Sequence, residues 1–437
     1  MMDGPCVKVI GAGLAGCEAA WQIAERGIPV TLIDMKPHRL SPAHKIGSFC
    51  ELVCSNSLRS DNIENAVGLL KEELRRMRSL IMDCADKTRV PAGGALAVDR
   101  TLFSRLVTKR ISDHPLISVE EAEAEDIPDG PCIIATGPLT DGKLLESIER
   151  ATGTTLHFHD AAAPIVTKES LDMSRVFASS RYEKGSGADY LNCPLNSEEY
   201  FRFVRELVSA ETVELHEFET PKVFEGCMPV EIMAKRGDMT LAFGPMKPVG
   251  LVDPNTGRQP FAVVQLRQDN SDGTLFNMVG FQTNLKFGEQ KRVFSMIPGL
   301  GNAEFVRYGV MHRNSYMDSP GKLSYDYSLI KRDDLYFAGQ ITGVEGYVES
   351  ASSGFTAGVS MARKLKGLPP IDFGAETAIG ALGHYVSEYN GSDFQPMNVT
   401  FGIIAPLEKA PKNKRLRYAA AAQRALGRID ELCKEGI

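Results

Sequence analysis

The sequence contains nine cysteines, and three of them lie where a thiol could react. Cys50 and Cys54 are four residues apart in a polar segment, and Cys227 lies between Gly226 and Pro229 in what the sequence predicts to be an exposed bend. A thiolate is a soft nucleophile when a nearby base or positive charge lowers its pKa. The CxxxC pair could instead exchange a disulfide, although the active-site cysteines of flavin disulfide reductases are one residue further apart.

The other cysteines are interpreted as small buried hydrophobic residues, because free cysteine is among the most buried residue types. They are Cys6, Cys17, Cys84, Cys132, Cys193 and Cys433. No cysteines form a CxxC pair with zinc spacing, and no histidines have the HxxxH spacing of a helical metal site. The sequence therefore predicts no metal centre, and a reduced cytoplasmic protein rather than one held together by disulfides.

The start of the chain has the pattern of a strand–turn–helix–strand unit, which could bind a cofactor that reacts together with these thiols. A β-branched strand leads into Gly11-Ala12-Gly13-Leu14-Ala15-Gly16, a helix follows, and a second strand ends at Asp34. In this context a GxGxxG pattern indicates a dinucleotide site. Gly11 permits the tight turn, Gly13 the approach of a pyrophosphate and Gly16 close helix packing, while Asp34 can accept hydrogen bonds from a ribose. The alternative is a glycine-rich turn that binds nothing.

A second glycine-rich region is predicted near the other end of the chain. A strand from Asp334 to Gln340 precedes a loop from Gly343 to Gly354, and a helix is predicted from Phe355 to Leu365. Two such segments can close on one long cofactor such as a flavin dinucleotide. The predicted cofactor-binding residues outside the first motif are Gly137, Gly339, Gln340, Gly343, Tyr347, Glu349, Ser352 and Gly354. The polar residues among them could equally belong to an ordinary solvated loop, whereas close backbone approach favours the glycines.

The pattern along the 437 residues predicts an α/β fold with two domains. Residues 1–184 and 322–437 are predicted to form a Rossmann-like, glutathione-reductase-like domain from both chain ends, and residues 185–321 an inserted mixed α/β domain. A single charged helix is predicted from Gly68 to about Asp86. The net charge of −7 argues against broad attraction to nucleic acid but allows a local basic face.

Seven motifs occur together and in order: GAGLAG at Gly11, CSNS at Cys54, VPAGGALAVDR at Val90, ATGP at Ala135, FEGCMPVE at Phe224, AVVQLRQDN at Ala262 and AGQITGVEGYVESASSG at Ala338. With them the chain resembles, over nearly its whole length, the folate- and FAD-dependent tRNA (uracil-54-C5)-methyltransferases. The glycine motifs alone would fit equally well the FAD subunit of the enzyme that makes carboxymethylaminomethyluridine in tRNA. That larger relative carries a long C-terminal helical extension, for which this chain has no room.

The resemblance implies a reaction and its partners. FAD is reduced by NADPH or NADH and takes a methylene group from 5,10-methylenetetrahydrofolate, and the carbon passes to C5 of uridine 54 in the T loop of tRNA, where it is reduced to methyl. Two cysteines match the family motifs. The resemblance implies that Cys227 is the nucleophile at uracil C6 and that Cys54 lies beside the flavin, where it helps to shield or deprotonate the intermediate.

A basic run near the C-terminus is the predicted RNA contact. It contains Lys412, Lys414, Arg415 and Arg417, just before an alanine-rich helix, and it could equally be a solvated charged face. Two other functions stay open from the residues alone. One is an NAD(P)H-dependent flavin disulfide oxidoreductase, and the other is a flavin-bearing tRNA-binding protein without methyl transfer.

Overall fold

The structure is a computed structural model that describes residues 6–153, 155–185, 187–213, 228–309, 311–391 and 394–437. The strands are β1 (Val7–Ile10), β2 (Val30–Asp34), β3 (Ser57–Ser60), β4 (Arg89–Val90), β5 (Ala95–Val98), β6 (Ile117–Glu121), β7 (Cys132–Ile134), β8 (Thr155–Ala161), β9 (Ile165–Thr167), β10 (Phe177–Ala178), β11 (Tyr190–Leu195), β12 (Ala262–Gln268), β13 (Leu275–Met278), β14 (Phe305–Arg307), β15 (Met311–Met317), β16 (Ser328–Leu329) and β17 (Arg332–Phe337). The α-helices are α1 (Leu14–Glu25), α2 (Ala66–Arg76), α3 (Leu80–Lys87), α4 (Arg100–Ser112), α5 (Gly142–Thr152), α6 (Ser197–Ser209), α7 (Val230–Lys235), α8 (Thr240–Phe243), α9 (Phe287–Phe294), α10 (Tyr347–Leu365), α11 (Ala378–Glu388) and α12 (Lys414–Lys434).

The first sheet combines strands from both ends of the chain. Its order is β16-β17-β7-β1-β2-β6, and β17, β7, β1, β2 and β6 are parallel. All residues of β7 and all of β1 except the exposed Lys8 are buried and apolar, as expected for a parallel sheet covered by helices. The predicted α/β class and the joining of the two chain ends in one sheet are confirmed.

The second sheet is antiparallel at each of its pairings and has the order β10-β11-β12-β13-β9-β14. It has its own hydrophobic core, formed with α6, α7, α8 and α9. Strands β9 and β10 belong to this sheet although they precede residue 185, the predicted start of the inserted domain. The division into domains stays a prediction, and these sheet memberships favour a start nearer residue 165.

Two helix predictions were wrong at their boundaries. The helix predicted from Gly68 to Asp86 is two helices, α2 and α3, separated by Arg78 in a left-handed conformation with φ of 62°. Ser79 is the N-cap of the new helix, and its hydroxyl oxygen accepts a hydrogen bond from the Met82 amide, while the buried carboxylate of Glu18 accepts hydrogen bonds from the Leu80 and Ile81 amides. Helix α10 begins at Tyr347 instead of Phe355, because its small residues pack against α1 and tertiary contact outweighs their low helix propensity.

No helix in the described part of the chain is both long enough and apolar enough to cross a membrane.

Lys71 on α2 is an unusual member of the core. Its side chain is completely buried, and Nζ donates hydrogen bonds to the Ser60 carbonyl at 2.6 Å and the Val67 carbonyl at 3.2 Å. Burial lowers the pKa of Lys71 from its ordinary value to about 7, because the charged ammonium loses its hydration.

This lysine predicts a pH-dependent stability. Between pH 7 and about 10 the unfolded chain binds a proton at Lys71 that the native chain does not, so its contribution to native stability rises with pH and is lost as pH falls toward 7. The free energy of unfolding of the wild type, minus that of Lys71→Met, should increase by on the order of 1–2 kcal/mol between pH 7 and pH 9 in urea titrations. Lys109→Met, at an exposed lysine, should show no such trend, and a pH-independent difference for Lys71→Met would contradict the prediction.

Candidate active site

The first glycine motif forms the turn between β1 and α1, and its three glycines have different surroundings. A Cβ at Gly16 would overlap the Gly11 carbonyl, and one at Gly11, where φ is 100°, would overlap the backbone of Ala135. A Cβ at Gly13 would meet nothing within 4 Å. Gly11 and Gly16 are therefore required by packing, whereas Gly13 leaves open space in front of the helix, as a pyrophosphate needs.

Helix α1 has Gly13 as its N-cap, with no side chain bonded to its first-turn amides. Those N–H groups and the helix dipole favour an anion. The buried carboxylate of Asp34, at the end of β2, accepts hydrogen bonds from the amides of Ala12 and Lys36. Asp34 thus fixes the turn, and the lone pairs left on its oxygens could accept further bonds from a ribose. Ala12, Leu14 and Ala15 are buried, so their contribution is through the backbone.

Helices α1 and α10 pack in parallel with their backbones in contact. A Cβ at Gly354 would overlap the Ala15 carbonyl, and a Cβ at Gly358 would lie 2.7 Å from the Ala19 carbonyl oxygen. Because Gly354 lies opposite Ala15, the first turn of α10 extends about 9 Å beyond the start of α1 at 1.5 Å per residue. The N-termini of the two parallel helices therefore point in the same direction and are offset by about 9 Å along the helix axes.

The second glycine region places its predicted residues in three groups. Gln340 and Tyr347 line a cavity between the two sheets. Gly339 and Gly343 have φ of 85° and 89° and shape the turn before α10. The Gly354 backbone and the buried Ser352, whose hydroxyl donates to the Glu349 carbonyl, lie within the packed helix.

Two further predicted cofactor-binding residues have contrasting surroundings: the Glu349 side chain is completely buried, whereas Gly137 has free space beside its Cα. One carboxylate oxygen of Glu349 accepts hydrogen bonds from Arg59 and from the Val399 amide. Glu349 thus joins α10 to two distant segments below the cavity wall. Gly137 follows β7 with φ of 76°, and a Cβ there would meet nothing within 4 Å. Cofactor contact by these residues stays a prediction.

A cavity of about 300 Å³ lies where the two sheets and the start of α10 meet. Its lining includes Cys54, Arg267, Asn277, Gln282, Gln340 and Tyr347. This is the size of a small-ligand pocket, and junctions between structural units are common places for one. The Asn277 side chain is buried there, and its Nδ2 has no hydrogen-bond partner in the described chain. An acceptor supplied by a ligand or by water would satisfy this amide.

Cys54 lies in a segment whose flanking residues, from Leu52 to Asn56, accept hydrogen bonds from arginine side chains. Arg100 donates to the Leu52 carbonyl at 2.6 Å, and Arg307 donates to the Val53 carbonyl. Arg267 donates to Ser55 Oγ at 2.7 Å and to Asn56 Oδ1 at 3.0 Å. Because these arginines come from α4 and from two strands of the second sheet, the Cys54 segment is fixed to both parts of the molecule.

Tyr347 completes the support of this segment. Its phenol oxygen accepts hydrogen bonds from the Cys54 amide at 2.8 Å and the Ser55 amide at 3.3 Å. Burial and the neighbouring Cys54 thiol raise the pKa of Tyr347 above its ordinary value, so the phenol stays protonated near neutral pH. The backbone amides occupy the oxygen as an acceptor, and the hydroxyl hydrogen is left to donate to a ligand in the cavity.

The two thiols of the CxxxC pair have different environments. Cys50 is buried with its Sγ directed to the Ala12 carbonyl, and burial raises the pKa of its thiol well above the ordinary value. Cys54 is half-buried and lines the cavity. This arrangement favours a packing role for Cys50 beneath the glycine turn and a chemical role for Cys54.

Cys227, the predicted nucleophile, lies outside the described residues. The described chain resumes at Met228, and the Val230 amide donates to the Gln282 carbonyl at 2.7 Å. Gln282 lines the cavity. The described chain therefore resumes beside the cavity wall.

The predicted basic run lies at the start of α12. Lys412, Lys414 and Arg415 are exposed, and Arg415 is paired with Glu64 at 2.9 Å. Lys414 and Arg417 lie over the ring of Tyr418, which stacks on Phe401 with a centroid distance of 4.2 Å. Phe401 is three residues from Asn398, a cavity-lining residue.

Sequence reasoning missed the arginines that hold the Cys54 segment, as well as Asn277. Arg267 belongs to the AVVQLRQDN motif, where it interrupts a buried strand, but the motif alone assigned it no role. A charged residue at the centre of such a strand is the signal that could have identified it, since buried charges need specific partners.

Comparison with known proteins gives the family. The model of the family described as glucose inhibited division protein A matches residues 6–369. The methylenetetrahydrofolate–tRNA-(uracil-5-)-methyltransferase TrmFO of Enterococcus faecalis is 58% identical over 96% of this chain and 97% of its own length. The TrmFO of Acetivibrio thermocellus is 60% identical over 97% of this chain and 98% of its own length. The chain belongs to the glucose inhibited division protein A and TrmFO families.

Solved structures support the same fold. Aquifex aeolicus GidA has a TM-score of 0.68 in one crystal form, with 17% identity over 99% of this chain and 79% of that one. A second crystal form gives a TM-score of 0.66 with 16% identity, over 100% of this chain and 77% of that one. The TrmFO family membership and this likeness confirm the predicted family resemblance and the fold class.

The contrast between Gly13 and Gly16 gives a testable prediction. Gly13→Ala fits the backbone, where φ is −78°, and should fold normally, but its methyl group would occupy the open space and weaken flavin binding at least about tenfold. Gly16→Ala would overlap the Gly11 carbonyl and should lower stability by about 1–3 kcal/mol. Flavin titration by absorbance and thermal denaturation of the flavin-free proteins separate the two effects. Wild-type flavin affinity in Gly13→Ala would contradict the cofactor role of this turn.

Proposed function

We propose that this chain transfers the one-carbon unit of 5,10-methylenetetrahydrofolate to C5 of uridine 54 in tRNA, with FAD as cofactor and NADPH or NADH as reductant. The observation that carries the proposal is the placement of Cys54 on a cavity wall beside the start of α10, in a member of the TrmFO family. A substrate of this kind also implies a cytoplasmic location.

The residues present fit a flavin dinucleotide. Asp34 and the α1 turn would hold the ribose and pyrophosphate, with Gly13 leaving room for close approach. Gly346, Tyr347 and Gln340 would border the ring at the cavity. When bound, FAD supplies two-electron chemistry and relays the folate-derived carbon.

The chain's own thiols supply what the uracil needs. Uracil C5 becomes nucleophilic when a thiolate adds to C6, and we assign that addition to Cys227. After C5 bonds to the folate-derived carbon, a base takes the C5 proton and the bond from that carbon to its carrier nitrogen breaks, with the electron pair leaving on the nitrogen. A hydride equivalent derived from the nicotinamide then adds to the exocyclic methylene, and the sulfur–C6 bond breaks to release the thiolate and leave a methyl group on C5. We assign to Cys54, whose amide donates to the Tyr347 hydroxyl oxygen, the role of shielding this centre or accepting the proton.

The two alternatives lose support. A disulfide reductase needs a pair of accessible thiols, whereas Cys50 is buried against the glycine turn. A binding protein without methyl transfer does not account for the enzyme named in relatives at 58–60% identity.

Cys227→Ala tests the nucleophile. The variant should keep its flavin, because the described flavin-site residues lie elsewhere in the chain, but it should no longer methylate tRNA. Mass analysis of tRNA nucleosides after incubation with NAD(P)H and methylenetetrahydrofolate measures the product. Cys6→Ala, at an exposed cysteine, is the matched control and should retain activity. Normal turnover by Cys227→Ala would remove Cys227 from the proposed mechanism.

The basic end of α12 gives a second test of the RNA substrate. Lys412→Gln combined with Lys414→Gln should weaken tRNA binding and reduce the slope of log affinity against log salt by up to about 2, since each phosphate contact contributes roughly 0.9. Lys143→Gln, at an exposed lysine paired with Glu125, is the control. If the double variant keeps the wild-type slope, these lysines do not contact phosphates.

A further inference from the structure

We propose that Tyr182 and the exposed cations around it form a stacking platform for a single-stranded nucleotide of the RNA substrate. This inference rests on the proposed function, because it takes tRNA as the substrate. Tyr182, Lys184, Lys247 and Arg258 define the platform, and Phe243 and Val252 extend its apolar part.

Tyr182 has a strained backbone and an exposed ring. Its φ is 57°, in the left-handed region, and its exposed fraction is 66%. A non-glycine residue in this conformation costs on the order of 1 kcal/mol. Burial of the ring does not offset this cost, because most of the ring faces solvent. The strained backbone therefore holds the Tyr182 ring at the surface, and burial of the ring does not compensate the cost of that strain.

The ring is nevertheless held in place. The Tyr182 amide donates to the Gly250 carbonyl at 3.2 Å. A Cβ on Gly250 would lie 3.0 Å from ring atom Cε1, so the absence of a side chain there lets the ring lie against the backbone. Gly250 has φ of 81°, which favours glycine at this position. An aromatic ring fixed on one side and open on the other is suited to stacking with a base.

Arg181 connects the platform to the cavity wall. Its Nη1 donates to the Val249 carbonyl and its Nε to Gln265 Oε1, both at 2.9 Å. The Gln265 carbonyl in turn accepts a hydrogen bond from the amide of Val279, which lines the cavity. Two hydrogen bonds thus separate the residue next to Tyr182 from the wall of the candidate active site.

The loop from Gly244 to Gly250 also reaches the cavity. A Cβ on the cavity-lining Gly280 would lie 2.7 Å from the Cβ of Pro245, so the two backbones are in close approach. Phe243, just before this loop, is 76% exposed, and Val252, just after it, is 59% exposed. The loop that carries Gly250, against which the Tyr182 ring lies, therefore reaches the edge of the cavity.

The charges favour RNA as the occupant. Lys184, Lys247 and Arg258 are exposed, and within the described residues none of them forms an ion pair with an acid. Lys247 is three residues before Gly250. The Arg258 backbone carbonyl accepts a hydrogen bond from the amide of Asp253, which is three residues after Gly250. Exposed aromatic residues interleaved with cations that lack acidic partners are typical of surfaces that bind single-stranded nucleic acid. When a uridine is taken out of its loop, it and the neighbouring bases lose stacking partners, and an exposed aromatic ring can replace one of those partners.

Binding of tRNA, followed by fluorescence anisotropy with the flavin-loaded protein, tests the platform. Tyr182→Gly removes the ring and fits the left-handed backbone, so it should fold normally and weaken tRNA binding by about 5- to 150-fold, the range for loss of one base–aromatic stack. Tyr182→Phe should bind as the wild type does. Lys247→Gln with Arg258→Gln should lower the salt slope by about 2. Flavin content and the rate of flavin reduction by NAD(P)H should be unchanged in all of them.

Matched controls are Met173→Ala, at an exposed apolar residue, and Lys331→Gln, at an exposed lysine, both of which should bind tRNA normally. Wild-type affinity in Tyr182→Gly overturns the platform, even if the enzyme methylates tRNA. If the wild type binds tRNA but transfers no carbon, the proposed function fails, and the Tyr182 variants still decide the platform by affinity. If the wild type does not bind tRNA, both proposals are overturned.

Discussion

The contact between α1 and α10 is the constraint on which the candidate site depends. Gly354 and Gly358 let α10 lie against the backbone of Ala15 and Ala19, closer than any side chain would permit. This places the start of α10 about 9 Å beyond the start of α1 along a common direction. A long cofactor can therefore contact one helix start with its phosphates and the other with its ring, although the two helices are more than 300 residues apart in sequence.

The Cys54 segment makes the second sheet part of the same site. Arg267 of β12 and Arg307 of β14 both donate to it, and Tyr347 of α10 supports it from the other side. Burial lowers the pKa of both arginines, yet guanidinium groups keep their charge in proteins. The candidate reactive thiol is consequently held by groups from both units, and a movement of either unit would be transmitted to it.

The sequence predicted the local elements well and the long-range contacts poorly. The β1–α1–β2 unit was predictable because its glycines, apolar periodicity and acidic end all lie within thirty residues. The break between α2 and α3 was missed although Ser79 is a local N-cap signal, and part of its support is distant in sequence, since Glu18 binds the Leu80 and Ile81 amides. The early start of α10 was missed for a similar reason: glycine and serine residues favour a loop locally, and only packing against α1 makes them helical.

The candidate site shows the same division. Gly13, Asp34, Gln340, Tyr347 and Cys54 were identified from motifs. Asn277 and the arginines around Cys54 were not, since their roles arise from pairing between distant segments.

A crystal structure of the flavin-loaded chain tests the central claim most directly. We expect the pyrophosphate against Gly13 at the start of α1, and the isoalloxazine ring in the cavity, in contact with the Cys54 segment and with Gly346 and Tyr347 at the start of α10. A ring bound away from that cavity, or a pyrophosphate that does not approach Gly13, would contradict the claim that both chain ends build one cofactor site.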